Sequence, residues 1–341
     1  TNPFQTPQKL LIKPETQVVF VADNFLEHLQ GGAEFTTEAL IEKCPYKFEK
    51  VLAKHVDLEV LESGHHAYWI FGNFSSMNLE LLPTIVANMD YSVLEYDYKY
   101  CKYRSPEKHK NAEDKDCDCH QDIHGKMISA FYYGAQSLWW MSEKQEKIYL
   151  DLFPFLAEKQ NTVLSSVFND DFFVALKMLR EEYKDTERKG WIVLGASSWV
   201  KGKDAAENYC KENSLDYEVI WNLPYREVLS KLVQAEGFVY LPEGADTCPR
   251  MAIEAKLLGC KLILNEHVQH KDEIWFDTED MFDTEAYLYA ARDRFWNGIT
   301  ANMNYTPSIS GYTTTKDCIL QDFFADSCFC MGVTNIHSTP F

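Results

Sequence analysis

The sequence predicts an α/β protein with two parallel-sheet halves, and three observations carry that prediction. Short apolar runs rich in β-branched and aromatic residues, at 16–22, 67–71, 190–194 and 238–241, alternate with helix-length stretches, the pattern of a parallel sheet with helical crossovers. The alternation pauses at a small polar turn, Asn169-Asp170-Asp171, and then restarts. At 341 residues, with 46% apolar and 25% charged, the chain is long enough for two cores and globular in composition.

Residues 16–22 (TQVVFVA) read as the first buried strand, and Gly31-Gly32 opens a helix over 33–44. Strands at 67–71 and 91–96 flank a helix over 77–89, whose Leu81, Ile85 and Met89 share one stripe. Residues 98–121 form a polar insert of both charge signs without helical or strand period, read as a lid or acceptor loop. Helices at 126–136 and 143–152 and strands at 137–141 and 161–168 complete the first half, with the hinge expected at 169–171. The second half reads as helix 172–183, strand 190–194, helix 201–213, strand 217–221 and helix 224–235, followed by strand 238–241, helix 249–258, strand 260–264 and a long helix over 284–299.

The stretch 237–265 (GFVYLPEGADTCPRMAIEAKLLGCKLILN) organises the rest. It spells strand, loop, helix, strand. Pro249 suits a first helical turn, Thr247 or Cys248 can cap it, and Gly259 suits a left-handed stop. Met251, Ala255 and Leu258 are expected to face the sheet, while Asp246 and Glu254 flank one crevice. In open parallel sheets ligands bind beyond the carboxyl ends of the strands, where helix N-termini offer free N–H groups to a diphosphate. Glycines at Gly31-Gly32 let backbone approach such a ligand, and the small loop Gly195-Ala196-Ser197-Ser198 leaves room for a phosphate that Lys201 can meet.

This combination resembles family 4 retaining glycosyltransferases, whose donor motif is two glutamates with seven residues between them, then a helix, a glycine and a strand. Asp246 holds the first position and Glu254 the second; Glu243, eleven positions before Glu254, is the other acid nearby. The resemblance spans roughly residues 16–299 and implies the GT-B fold, two Rossmann-like domains facing each other across a crevice. These are taken as 1–168 on the acceptor side and 169–283 on the nucleotide-sugar side, with 284–300 crossing back as a helix and 301–341 as a tail. It implies sugar transfer from a nucleotide-diphosphate-sugar to a glycan or other hydroxyl acceptor with retention, hexosyltransferase-like and without a metal or cofactor. Asp246 then holds the sugar hydroxyls, Glu254 the ribose and Lys201 the leaving diphosphate. Gly31, Gly32, Gly195, Ser197, Thr247, Cys248 and Arg250 complete the donor site. Two family features are absent: Ala196 stands where an arginine is expected, and Tyr96-Asp97-Tyr98 where a donor-contacting histidine is expected. Lys203 or Arg250 is the expected substitute for the arginine, and His65 and His66 are the nearby histidines. A nucleotide-sugar epimerase of the same fold and a non-catalytic nucleotide- or sugar-binding protein are the alternatives. Residues 308–318 (SISGYTTTKDC) faintly resemble the opening strand of a GT-A transferase domain.

A formal charge of −19 argues against nucleic acid as a partner. No apolar run reaches the roughly 18 residues that span a bilayer, the first residues do not read as a signal peptide, and a cytoplasmic location is expected. Ten cysteines then read as reduced thiols or metal ligands. Within the insert, Cys101, Cys117, Cys119 and His120, with His124 in reserve, form a candidate structural zinc set; free thiols and a redox disulfide are the alternatives.

Overall fold

The structure, a computed structural model, describes residues 10–305. Residues 308–318, Cys318, Cys328 and Cys330 lie outside the described residues, as does most of the expected tail.

The first half is built in chain order from β1 (Val18–Ala22), α1 (Gly32–Glu42), β2 (Phe48–Leu52), α2 (Leu58–Ser63), β3 (Tyr68–Phe71), α3 (Leu82–Asn88) and β4 (Asp90–Glu95). It continues through α4 (Pro106–Glu113), α5 (Ile123–Gly134), β5 (Ser137–Trp140), α6 (Glu143–Leu152) and β6 (Gln160–Val163). The second half contains α7 (Asp170–Glu182), β7 (Trp191–Leu194), α8 (Lys203–Glu212), β8 (Tyr217–Ile220), α9 (Tyr225–Gln234), β9 (Gly237–Tyr240), α10 (Arg250–Leu257) and β10 (Lys261–Leu264). Two last helices follow, α11 (Met281–Tyr289) and α12 (Ala291–Met303).

Both sheets are parallel throughout. The first has the order β2-β1-β3-β4-β5-β6 and the second β10-β9-β7-β8. Each order reverses once, between β1 and β3 and between β7 and β9, and a ligand crevice forms at such a reversal beyond the strand ends. Helices cover both faces, so β1 is buried along its length. Its alternate residues separate cleanly: Val18, Phe20 and Ala22 join a hydrophobic cluster that continues through Phe168, Phe172, Phe238 and Phe295, while Val19 and Val21 join another on the opposite face. The first cluster thus runs unbroken from one sheet to the other.

Several elements differ from the sequence reading. The insert is not structureless, because Ser105 caps α4 by accepting from Lys108 N (3.2 Å), Pro106 sits in the first turn, and Asp114 closes the helix in the left-handed conformation (φ 53°). The strand over 161–168 ends at Val163, and residues 164–168 run on as the crossing to the second half. The expected hinge is a helix start, where Asn169 Oδ1 accepts from Phe172 N (3.0 Å). Pro249 precedes α10 at its cap position, and no side chain caps this helix. The long last helix is two, parted at Ala290. α12 returns to the first sheet: Trp296 Nε1 donates to Leu40 O (2.9 Å), and Phe295 packs on Trp139 with ring centres 4.9 Å apart. Asn302 Nδ2 donates to Ser137 Oγ (2.7 Å), the end of a buried hydroxyl row through Ser92 and Tyr68.

Gly202 is the tightest point between the loops after β7 and β9. It lies at φ 66°, and a Cβ there would stand 1.8 Å from Leu241 O. Gly190 has φ 70° with its nearest contact at 3.6 Å. Gly190→Ala is therefore expected to cost about 1–2 kcal/mol, the left-handed penalty alone, and Gly202→Ala distinctly more by urea denaturation. Equal losses would show that the loops yield freely.

Candidate functional site

The site lies at the reversal of the second sheet, between the loops after β7 and β9, and faces the segment that follows β4. Gly202 lets the loop after β7 press on the loop after β9, and Lys201 Nζ reaches Asp246 Oδ2 at 2.8 Å. The hydroxyl of Tyr240, the last residue of β9, donates to the same oxygen (2.6 Å). The backbone of Asp246 is fixed by N–H donation to His267 O (2.8 Å) and by accepting from Gln269 N (3.1 Å), forming a parallel bridge with Val268. Burial acts to raise the Asp246 pKa, but the Lys201 ammonium and the Tyr240 hydroxyl outweigh it and hold the carboxylate below its usual range. Close by, His270 is fully buried, stacked on Trp275 and edge-on to Phe276, with neither ring nitrogen hydrogen-bonded. Burial pushes its pKa down to about 3 against the opposing pull of Asp246, leaving a neutral imidazole.

Lys201, Asp246 and Thr247 line a cavity of about 460 Å³ between the halves, whose opposite wall is the insert, with Asp97, Arg104 and Lys108. Arg104, at φ 57°, is clamped to Asp97 through Nε (2.7 Å) and Nη2 (2.6 Å). The cavity therefore presents cations from both halves around two carboxylates, a lining suited to a polar, phosphate-bearing ligand with hydroxyls.

The remaining expected donor residues are placed differently. Thr247 and Cys248 do not cap α10. The Thr247 hydroxyl donates to Tyr96 O (2.8 Å), and Cys248 accepts from Ser166 N at its sulfur (3.2 Å), so both join the halves instead. Arg250 Nη1 donates to Val167 O (2.6 Å) and Thr36 Oγ1 (3.1 Å), and its guanidinium lies 3.9 Å from the Phe168 ring centre. It lines a second cavity of about 250 Å³ with Phe35 and Tyr225. Glu254, at 3% exposure, is buried rather than solvated; it accepts from the Tyr225 hydroxyl (2.8 Å), and burial raises its pKa. Met251 is only partly buried, and the faces of α10 covered most fully carry Ala252, Ile253 and Ala255.

Gly32 packs under Arg250, its Cβ position 3.6 Å from Arg250 Cδ. At Gly31 the neighbour is a carboxylate, Glu34 Oε2, 2.5 Å from the Cβ position. Glu34 is largely buried and folds back on its own helix start; burial raises its pKa while the amides of Glu34 and Gly31 lower it. Gly195, Ser197, Cys248 and Glu254 line neither cavity. Lys203 turns to Glu207 (3.6 Å) rather than to the crevice, and His65 and His66 are exposed beside the opposite ends of the strands.

In the insert, Cys101, Cys117 and Cys119 come together as the sequence groups them, but the histidine that joins them is His109. His120 sits outside the group, because α4 carries His109 inward while the turn Cys119–Gln121 directs its neighbour away. Tyr240, Tyr225, Arg104, His109 and His270 are site residues that sequence reasoning missed. Tyrosines ending a strand or starting a helix read as core, and arginine or histidine inside a charge run reads as surface.

No protein-family model matches the chain, and no curated protein matches it by sequence. Among solved structures it is similar to sucrose-phosphate synthase from Thermosynechococcus elongatus, at 11% identity over 92% of this chain and 100% of that one, with a TM-score of 0.49. It is also similar to the catalytic domain of starch synthase IV from Arabidopsis thaliana bound to ADP and acarbose (8% identity, 91% and 99% covered, TM-score 0.48). A third similar structure is WaaG, a glycosyltransferase involved in lipopolysaccharide biosynthesis (11% identity, 90% and 99% covered, TM-score 0.44). Two parallel α/β sheets, each with one reversal in strand order, and a last helix returned to the first sheet agree with the GT-B architecture that the resemblance implies.

Proposed function

We propose that the chain is a glycosyltransferase that moves a sugar from a nucleotide-diphosphate-sugar to an acceptor hydroxyl, with retention at the anomeric carbon. The observation that carries this reading is the Lys201–Asp246–Tyr240 group, a fixed and ionised carboxylate beside a cation at the strand-end crevice. In this reading Asp246 accepts hydrogen bonds from the donor sugar's hydroxyls. Lys201 meets the diphosphate as charge develops on it, and prepositioned charge of this kind stabilises a transition state more than the ground state. Arg104 and Lys108 on the facing wall meet the donor or a charged acceptor. A cavity closed between two halves keeps water from competing with the acceptor. We further propose the division at residues 168 and 283, and a reaction that turns over equally with and without added Mg²⁺ or Mn²⁺.

A second reading, a non-catalytic nucleotide- or sugar-binding protein, is favoured by one observation. Arg250 and Glu254, both assigned to the donor by resemblance, are engaged with Val167, Thr36 and Tyr225.

Thermal shift with UDP, GDP, ADP, CDP and NAD tests the site. One nucleoside diphosphate is expected to raise the Tm of the wild type, by an increment equivalent to about 2.7 kcal/mol at a hundredfold excess over Kd. The shift is expected to be lost in Lys201→Ala. If none of the five moves the Tm, the donor assignment fails. Product analysis with the matching nucleotide-sugar then separates transfer from epimerisation and from binding without turnover.

A further inference from the structure

We infer that the insert is a zinc-binding knuckle, with Cys101, His109, Cys117 and Cys119 as a closed tetrahedral ligand set. Its ligand atoms lie within 4.8 Å of one another. His109 Nδ1 is 3.3 Å from Cys119 Sγ and 3.7 Å from Cys101 Sγ. Zinc bonds of about 2.3 Å to sulfur and about 2.0 Å to nitrogen give tetrahedral N···S edges of about 3.5 Å. The two contacts bracket that length.

Hydrogen bonding alone does not account for the cluster. One ring nitrogen offers a single proton or a single lone pair, yet two buried sulfurs converge on Nδ1 and a third stands beside them. His109, Cys101 and Cys119 are almost wholly buried inside a polar segment. The other ring nitrogen, Nε2, is buried without a hydrogen bond and lies 3.2 Å from Glu113 Oε2, so a small turn of the ring brings it to the carboxylate that commonly orients a metal-binding imidazole. Glu113 is in turn held by Lys102 and by the Tyr103 hydroxyl (3.1 Å).

The fold explains the spacing, which matches no familiar finger. α4 carries His109 in its second turn, and the left-handed Asp114 sends the chain back so that Cys117 and Cys119 meet it. Gly125, whose Cβ would stand 2.0 Å from Cys119 O, lets that return pack on α5. An eight-residue helix is not stable by itself, and this segment has little apolar surface to bury. A metal bound only in the folded form stabilises such a segment directly. The knuckle thereby fixes Arg104 and Lys108, which form the insert's wall of the large cavity. This inference stands whether or not the chain transfers sugars.

The test is metal analysis of the full chain purified under reducing conditions without chelator. About one zinc per chain is expected, and cobalt exchange is expected to give the intense visible spectrum of tetrahedral thiolate coordination. Zinc is expected to be lost in Cys119→Ser and His109→Ala and retained in His120→Ala and Cys210→Ser. Should the ligand variants fail to fold, wild-type zinc release by a thiol-specific mercurial, with limited proteolysis opening the segment between residues 99 and 122, gives the same answer. Metal-free protein that takes up neither zinc nor cobalt overturns the inference. So does a disulfide between any two of the three cysteines by mass spectrometry, or retention of zinc in His109→Ala with loss in His120→Ala.

Discussion

Glu95→Ala is expected to destabilise the first half by about 3–5 kcal/mol, the cost of removing one partner from a buried ion pair. Glu95 is 1% exposed at the end of β4 and binds the Lys99 ammonium. It also accepts from the hydroxyls of Tyr132 and Tyr149 (2.5 Å for the latter) and from the backbone N–H of Asp97 (3.1 Å). The variant leaves two buried hydroxyls without their acceptor and a buried ammonium with only Asp97, 3.5 Å away. Urea denaturation followed by tryptophan fluorescence reads the loss, and Glu95→Gln, which keeps an acceptor, is expected to lose less. A cost under about 1 kcal/mol for Glu95→Ala would place this group among weak surface pairs. Since Lys99 begins the insert and Asp97 lies just before it, the same variant is expected to expose residues 99–122 to protease before the rest of the chain.

Lys201→Ala is expected to lower kcat for sugar transfer by about 10²–10³, the range for deleting one group that stabilises developing charge. Stability is expected to change little, because the Lys201 side chain is 42% exposed and its bond to Asp246 is open to solvent on one side. Lys201→Arg is expected to restore only part of the rate, since a planar fork replaces a compact point charge. Steady-state kinetics with the nucleotide-sugar found by thermal shift supply the measurement. A kcat within about threefold of wild type would remove Lys201 from the chemistry and leave it as the partner of Asp246.

The architecture was legible because buried parallel strands are continuous apolar runs. WIVL at β7 and GFVY at β9 have no other reading once helices flank them. β2 escaped notice because it is an edge strand whose Glu49 and Lys50 face partly outward, which breaks the apolar run. The parting of α11 from α12 carries no Gly or Pro signal at Ala290. At the site, Asp246 and Lys201 were readable because acid, small-residue loop and lysine-glycine fall at strand ends. The engagement of Arg250 with Val167 was not, since nothing local marks a side chain that reaches 83 residues back along the chain. His109 was hidden for a similar reason. Its partners are assembled by one left-handed residue, Asp114, which in sequence is one aspartate in a run of charges.

The return of α12 also sets a timetable. Trp139, Ser92 and Ser137 belong to strands made early, yet their covering residues, Phe295 and Asn302, leave the ribosome near the end of the described chain. Domains ordinarily complete themselves in the order of synthesis. Here the first sheet must wait with part of one face uncovered and a row of hydroxyls without Asn302 while the whole second sheet is made. The earliest part of the molecule is thus among the last to be finished.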